Sequence, residues 1–158
     1  EHWPDQAHGL VEDIVSEGVL LCRHNFGNYV VQHILEYGAE DHRRALVRDM
    51  VHHALALGCD ARAGGPLTKA IAHGSAEGRA ALARALLADK RVLLGMACTR
   101  HGHAAVQKLL ELCDWDERKE AAEQLAAHAG KLQTSRYGRA VLQCLPDGFA
   151  VQAACGGA

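Results

Sequence analysis

The chain has 158 residues, of which 49% are hydrophobic and only 4% are aromatic, and its 17 Lys and Arg against 19 Asp and Glu give a formal net charge of −2. This length suits one domain or a short repeat array, and the charge excludes a protein that binds nucleic acid through a uniformly basic surface. No apolar run approaches the ~18 residues of a membrane span, no secretory leader is evident, and six cysteines without a CxxC pair favour a reduced, intracellular protein.

The sequence repeats itself at a nearly constant period. Related segments surround four glycines, and the first of these segments is Cys22-Arg-His-Asn-Phe-Gly-Asn-Tyr-Val-Val-Gln32. The glycines are 37, 38 and 36 residues apart and are Gly27, Gly64, Gly102 and Gly138. Four units at this period predict an all-α solenoid in which each unit packs on the next.

Each unit is predicted to hold three short helices, of which the second begins at the glycine and the third follows an acidic turn. The other helices are predicted at Val11–Leu21, Met50–Leu57, Val92–Ala97 and around Leu132 (first helices), and at Arg43–Met50, Ala80–Leu87 and Ala121–Ala127 (third helices). Ser75 is a predicted N-cap, and Pro66 fits a first turn. The last unit lacks a third helix, so it either caps the array or belongs to a longer chain, as the start at Glu1 rather than Met also suggests.

The second helix of the first unit has one apolar and one polar face. Its apolar positions follow helical spacing and are Val30, Val31, Ile34 and Leu35. Asn28, Gln32 and Glu36 lie four residues apart on the opposite face, with Tyr29 beside them. Two amides next to an aromatic ring suit the recognition of a flat polar group such as a nucleobase. The alternative is an ordinary solvated helix face.

Positive charge is concentrated near the opening glycines. Acidic residues are absent from 22–35, 98–110 and 131–146. Arginines lie two positions before three of the glycines, and the first unit has Arg23 and His24 nearby, so the predicted basic strip consists of Arg23, His24, Arg62, Arg100 and Arg136. Such a strip would attract phosphate in spite of the negative net charge. Chance clustering on a helix surface is the alternative.

Metal and catalytic sites are not predicted. The adjacent or closely spaced histidines are His52 with His53, His101 with His103, and His24 with His33, but they lie in different units without a convincing zinc-ligand set. Nothing in the spacing requires Cys22, His24 and Asp60 to meet as a catalytic group. Cys22 and Cys59 occupy the same repeat position, which favours buried packing sites. We therefore expect no cofactor, no metal and no enzymatic activity.

The first unit resembles a repeat of the Pumilio (PUF) family. The resemblance rests on Phe26-Gly-Asn-Tyr-Val-Val-Gln-His-Ile-Leu-Glu-Tyr-Gly38, followed by Glu40-Asp-His-Arg-Arg44, and extends more weakly from about Val11 to Leu145. The segment 132–143 looks like the half-repeat that closes a PUF array. The resemblance implies a right-handed α-solenoid of three-helix repeats of about 36 residues, whose second helices line a concave RNA-binding surface. We accordingly expect a lead-in at 1–10, about three repeats plus a C-terminal cap at 11–146, and a flexible tail at 147–158.

The resemblance also implies which side chains contact a base. In the first unit, Asn28 and Gln32 would bind the base edge and Tyr29 would stack on it, a combination that implies uracil. The third unit keeps two polar edge groups, His103 and Gln107, but lacks a stacking residue.

The remaining candidates are weaker. In the second unit the three equivalent positions are Gly65, Pro66 and Lys69, of which only the lysine offers a polar group. The candidate contacts to the RNA backbone are Arg23, His24, Arg62, Lys69, Arg100, Arg136, Arg139 and Gln143.

The function implied by the resemblance is single-stranded RNA binding, with mRNA 3′ untranslated regions as targets and post-transcriptional regulation as the outcome. It further implies a cytoplasmic or nucleolar monomer, protein partners on the convex face and no membrane association. The alternative is a protein-binding α-solenoid scaffold that has lost base-specific RNA recognition, because only the first unit carries an intact set of base-contacting residues.

Overall fold

A computed structural model describes residues 3–149, and within that range the chain is helical and contains no β-strand. A short 3-10 helix, Ala61–Ala63, precedes α6. The α-helices are α1 Trp3–Ser16, α2 Gly18–Cys22, α3 Gly27–Tyr37, α4 Glu40–His52, α5 Ala54–Gly58, α6 Gly64–His73, α7 Ala76–Leu87, α8 Lys90–Ala97, α9 Gly102–Leu112, α10 Trp115–Ala126, α11 Ala129–Gln133 and α12 Arg136–Leu142.

Two of the three sets of helices form continuous rows along the chain. The second helices α3, α6, α9 and α12 pack each against the next, and so do α1, α4, α7 and α10. The first helices α2, α5, α8 and α11 contact the helices that follow them within their units. The predicted all-α solenoid is therefore confirmed, and its second helices form one continuous row.

The N-terminal helices differ from the prediction. A first helix was predicted from Val11 to Leu21, but α1 already begins at Trp3 within the predicted lead-in and ends at Ser16, and α2 begins at Gly18. The break lies at Glu17, and at Gly18, which begins α2, a Cβ atom would be 2.4 Å from Leu46 Cδ2 of α4. Since α1 packs against α4 as α4 packs against α7, α1 occupies the position of a third helix.

The boundary between the first and second units also differs from the prediction. A first helix was predicted from Met50 to Leu57, but α4 continues to His52 and α5 begins at Ala54. Met50 is fully buried within α4. Apolar residues continue from the end of α4 into the start of α5. The periodicity of apolar residues alone therefore does not show the break between the two helices.

The two predictions about helix starts, at Ser75 and Pro66, are confirmed. The Ser75 hydroxyl accepts a hydrogen bond from the Gly78 amide at 3.0 Å and caps α7, and Pro66 lies in the first turn of α6. Asp60 and Asp89 cap the 3-10 helix and α8 in the same way. These caps satisfy amides that have no partner inside their helices.

The cysteines differ in burial more than the sequence suggested. Cys22 is fully buried, whereas Cys59, the other predicted packing site, is exposed. Cys113 is buried, and Cys144 is exposed. Cys155 lies outside the described residues, as does most of the predicted tail. Phe149 packs against the core.

The row of second helices has an open end at α3. Val30 of α3 is 43% exposed, whereas the equivalent residues Leu67, Ala105 and Val141 are at most 1% exposed. These three residues lie on helices that each pack against a preceding second helix, and no second helix precedes α3 among residues 3–149. Burial of a Val or Leu side chain contributes about 1.5–3 kcal/mol, so the internal units gain a stabilising contact that the first unit lacks.

The opening glycines lie where backbones come into contact. At Gly138 a Cβ atom would be 2.2 Å from the Leu132 carbonyl oxygen, and at Gly102 it would be 2.6 Å from the Met96 carbonyl oxygen. Both carbonyls belong to the preceding first helix. At Gly64 the clash would be with the backbone of His101 in the next unit, at 2.6 Å. The repeated glycines of the sequence thus reflect close approach between helices.

Replacement of Gly102 by Ala should therefore destabilise the fold. The new methyl group has to displace backbone, so we expect Gly102→Ala to lower the free energy of unfolding by about 1–3 kcal/mol. Gly95→Ala in the neighbouring α8 is the matched control, because its Cβ meets nothing within 4 Å. The control should be neutral or more stable by up to about 1 kcal/mol. Urea unfolding followed by circular dichroism measures both, and equal effects of the two substitutions would contradict the steric explanation.

Candidate nucleic-acid interface

The polar face of α3 is built around a buried amide. Asn28 is only 7% exposed. Its Nδ2 donates to the carbonyl oxygens of His24 at 2.7 Å and Asn25 at 3.0 Å, and its Oδ1 accepts from Gln32 Nε2 at 3.0 Å. Because both of its N–H groups are engaged, Asn28 keeps only a lone pair on Oδ1 for a further contact. Its main effect is to orient Gln32.

Tyr29 and Gln32 are the accessible parts of this site. Tyr29 is 67% exposed, so its ring face is free to stack, and the half-buried Gln32 lies one turn further along α3. An exposed ring beside an amide of defined orientation provides the two contacts that a base needs, one to its face and one to its edge. The structure therefore brings together the three residues that the sequence singled out in the first unit.

His24 has a structural contact at this site. Its Nδ1 accepts hydrogen bonds from the amides of Phe26 at 3.2 Å and Gly27 at 3.0 Å, so the imidazole caps the start of α3. Thr99 and Ser135 bond in the same way to amides that begin α9 and α12. The predicted contribution of His24 to the basic strip is thus combined with helix capping.

The second unit leaves room for Gln32. A Cβ atom at Gly65 would lie 2.4 Å from Gln32 Nε2 and 3.0 Å from its Oε1. The Gln32 amide therefore rests on the backbone of the neighbouring second helix. Pro66, at the next position, is buried. The loss of polar side chains that the sequence shows in the second unit creates the space that the amide of the first unit occupies.

Lys69 is paired rather than free. Its ammonium group bonds to a carboxylate oxygen of Glu36 on α3, and both side chains are about one-third exposed. The hydrogen bond from Lys69 holds the pKa of Glu36 below its ordinary value. Lys69 was predicted to contact the RNA backbone, and this ion pair leaves it little net charge with which to attract phosphate.

Asp60 joins two residues of the basic strip. Its Oδ2 accepts from Arg23 Nε at 3.2 Å, and its Oδ1 accepts from Arg62 Nε at 3.1 Å and from the Arg62 amide at 2.9 Å. Hydrogen bonding from Arg62, followed by that from Arg23, lowers the pKa of Asp60. The two guanidinium groups remain about half exposed. The strip is therefore continuous between the first two units, but one of its two positive charges is neutralised there.

The third unit has an aromatic neighbour that the sequence did not reveal. The His103 ring lies 4.9 Å from the Tyr137 ring of the fourth unit, at an interplanar angle of 34°. The Arg136 guanidinium lies over the same tyrosine, 4.7 Å from the ring centroid. Ala104, the equivalent of Tyr29, has no ring, but the next unit supplies one. The available signal was the position of Tyr137 directly before Gly138, which matches the exposed Phe26 before Gly27.

The other predicted contacts are distributed over the last two units. Gln107 Nε2 donates to the Ala140 carbonyl oxygen at 3.4 Å, and Arg139 Nη1 donates to the Gln133 carbonyl oxygen at 2.9 Å. Arg100 and Gln143 are exposed. These side chains lie on or beside α9 and α12, at the far end of the row from Tyr29.

The closely spaced histidines noted in the sequence make other contacts in the described part of the chain. His52 and His53 each bond to a backbone carbonyl oxygen of α4, at 2.8 and 2.9 Å. A third ligand atom does not join these pairs within residues 3–149. None of the helices described is both long enough and apolar enough to cross a lipid bilayer.

Comparisons with known proteins agree with this architecture. The model of the Pumilio-family RNA binding repeat matches residues 19–50 and 93–121, which correspond to the first and third units. The Pumilio domain-containing protein C6G9.14 of Schizosaccharomyces pombe is 25% identical over 142 residues. This alignment covers 90% of the chain but 21% of the relative.

Solved structures share the fold. The Puf3 RNA binding domain bound to a Cox17 RNA 3′ UTR recognition sequence has a TM-score of 0.79 at 21% identity, over 96% of this chain and 44% of that one. PUF-8 in complex with PBE-RNA has a TM-score of 0.75 at 20% identity, over 92% and 43%. The PUM-HD domain of S. pombe Puf1 in complex with RNA has a TM-score of 0.72 at 19% identity, over 91% and 39%. The chain thus spans less than half of each of these domains.

The Asp60 bridge should contribute to stability in a pH-dependent way. Because the pKa of Asp60 is lowered in the folded chain, its charge stabilises the fold above the ordinary aspartate value of about 3.9. This stabilisation should be lost as the pH falls through the lower folded pKa. Asp60→Asn keeps a capping oxygen but loses the charge, so the variant should be less stable than the parent at pH 7, and the difference should shrink as the pH falls and Asp60 becomes protonated.

Asp89→Asn is the matched control for this measurement. Asp89 also caps a helix and bonds to an arginine of its own segment, but among residues 3–149 it has no hydrogen-bond partner in another unit. Urea unfolding over a range of pH values should show a larger loss for Asp60→Asn than for Asp89→Asn. Equal losses would indicate that the contact between units adds nothing to the cap.

The first and third units thus match the model of the Pumilio-family RNA binding repeat, the chain is similar over most of its length to a Pumilio domain-containing protein, and it shares the fold of the solved domains.

Proposed function

We propose that this repeat array binds single-stranded RNA through its row of second helices. The proposal rests on one observation above all, namely the exposed Tyr29 ring beside a Gln32 amide that the buried Asn28 holds in place. In this arrangement the ring stacks on a base while the amide bonds to its edge, and an edge with both donor and acceptor groups, such as that of uracil, suits an amide. The RNA-bound state of the solved relatives supports the same function.

Base recognition is concentrated in the first unit. The second unit presents Gly65 and the buried Pro66 instead of side chains that contact a base, and its Lys69 is paired with Glu36. The third unit offers His103 with the Tyr137 ring beside it, and Gln107 at the edge position. We infer strong discrimination at one base and weaker contacts at another. Most of the remaining affinity then comes from the basic strip and is independent of sequence.

The biological role that follows is post-transcriptional regulation of mRNA through 3′ untranslated regions. We propose the cytoplasm as the compartment in which this regulation occurs, with the nucleolus as the alternative. We assign no catalytic step to the chain, because the interface consists of groups that stack, donate and accept hydrogen bonds.

Substitution of the two accessible residues tests the proposal. In Tyr29→Ala/Gln32→Ala, we expect the affinity for a fluorescein-labelled uridine-containing ten-nucleotide RNA to fall at least about tenfold, since base–aromatic stacking alone is worth ~1–3 kcal/mol. Fluorescence anisotropy measures the affinity. Trp115→Ala is the control, because Trp115 is 64% exposed but lies on α10, in the other helix row.

The same titration checks both parts of the proposal. Parent affinity should decrease as salt rises from 50 to 300 mM, because binding releases counterions from phosphates. A cytidine-containing RNA should bind the parent more weakly and should bind the double variant about as well as the uridine RNA does. Unchanged uridine binding by the double variant would remove Tyr29 and Gln32 from the interface.

Gly65 provides a test that removes no polar group. In Gly65→Ala the new methyl group would lie 2.4 Å from Gln32 Nε2, so the amide has to leave its place beside Asn28. Because Gln32 is flexible, we expect nearly unchanged stability but weaker binding of the uridine RNA. If anisotropy gave the parent affinity, the orientation of Gln32 would not matter for binding. Gly130→Ala, with nothing within 4 Å of its Cβ, is the control.

A second candidate function is supported by a groove on the other helix row. The groove, of about 530 Å³, lies between α4 and α7 and includes Val47, Val51, Arg44 and Arg48. Glu40 and Glu77 also line the groove, so it suits a protein segment with apolar side chains and charges of both signs. A scaffold that acts only through this groove would still bind its protein partner in Tyr29→Ala/Gln32→Ala. The parent and this variant would then have the same affinity for the uridine RNA.

A further inference from the structure

Three metal-ligating side chains converge where α1 packs on α4. His8 and Glu12 are one turn apart on α1, and His8 Nε2 lies 3.1 Å from Glu12 Oε1. His42 extends from α4, and its ring centroid is 5.3 Å from that of His8. One ligand atom from each of the three residues lies within 4.8 Å of the others.

We propose that His8, Glu12 and His42 form a zinc-binding site that joins α1 to α4. Imidazole nitrogens and a carboxylate oxygen are ligands that Zn²⁺ commonly takes, and two histidines with one glutamate are a known three-ligand set. His8 and Glu12 are exposed and His42 is half-buried, so water has access to the fourth coordination position. The site does not involve the RNA-binding residues and is independent of the proposed function.

The distances fit coordination after small side-chain rotations. Tetrahedral zinc with bonds of about 2.0–2.2 Å places its ligand atoms roughly 3.3–3.6 Å apart. The His8–Glu12 pair is already close to this separation. His42 has to approach by about an ångström, which needs only rotation of its side chain, because both histidine rings are accessible to solvent.

An ion pair between His8 and Glu12 would contribute little to the stability of the fold. A surface contact between a histidine and a glutamate contributes only about 0–1 kcal/mol, and α1 is already held in place because it contacts α4 and packs Val11, Ile14 and Val15 in or against the core. What distinguishes the cluster is that donors from two helices meet at one point. Bound zinc would therefore fasten α1, which has a third-helix position, to the third helix of the first unit.

The sequence shows only part of this site. His8 and Glu12 have the spacing of four residues that places side chains on one helix face. His42 is 34 residues away, and no local pattern connects it with His8. The histidine pairs that the sequence did suggest lie elsewhere, so the site depends on the packing of α1 against α4.

Zinc titration of the untagged 158-residue chain tests the proposal. We expect one Zn²⁺ per chain by isothermal titration calorimetry, and at least about tenfold weaker binding for His42→Ala. Loss of a residue that only hydrogen-bonds to a zinc ligand already lowers the affinity by about 10–100-fold. Glu12→Gln, which keeps the shape of an exposed side chain, should also bind more weakly. His52→Ala is the matched control, because His52 lies on the same helix and is exposed but is not in the cluster.

A second measurement separates binding at this site from binding elsewhere. Zinc should raise the thermal midpoint of the parent and of His52→Ala, but not that of His42→Ala, because ligands that bind only the folded chain stabilise it. Circular dichroism verifies that each variant is folded, and Glu12→Gln serves if His42→Ala is not. The proposal is overturned if zinc affinity is the same in the parent, His42→Ala and Glu12→Gln, or if His52→Ala loses as much affinity as His42→Ala.

Discussion

Close approach of backbone at the opening glycines Gly64, Gly102 and Gly138 is the constraint on which the array depends. At Gly102 and Gly138 the preceding first helix presents a backbone carbonyl oxygen where a side chain would begin. First and second helices therefore meet at backbone distance, and the turn between them has little freedom in length. This explains why the period varies only between 36 and 38 residues over the chain. It also explains why second helices stack in register, which is what places the polar groups of successive units along one line.

The sequence was informative wherever a local pattern decides the structure. The four second helices, the cap at Ser75 and the exposed Tyr29 all follow from spacing and residue type within one unit. The helix boundaries before α3 do not, because the residues at the break between α1 and α2, around Glu17, carry no strong helix-terminating signal. The candidate interface divides in the same way. The contacts Arg23–Asp60 and Lys69–Glu36 join residues 37 and 33 positions apart, so they appear only when consecutive units are stacked.

The interface shows how neighbouring units share a binding surface. Gln32 rests on Gly65 of the second unit, and His103 of the third unit lies against Tyr137 of the fourth. The groups that a unit offers to a base therefore depend on the neighbouring unit as well as on its own side chains. Charge behaves likewise, because Asp60 reduces the positive potential of Arg23 and Arg62 together. Recognition in such an array is a property of pairs of units.

The exposure of Val30 at the open end of the second-helix row also has a consequence for cooperativity. In a linear array each unit is stabilised by its own helices and by contacts with its neighbours. The second and third units have a neighbouring second helix on both sides, whereas α3 has one on a single side within the described residues. Local opening of the chain should therefore cost less free energy at α3 than at the internal second helices α6 and α9. The helix with the most complete set of base-contacting residues is then more easily disordered than these two helices. Any contact that covers Val30 would order these residues and so strengthen binding without touching the ligand.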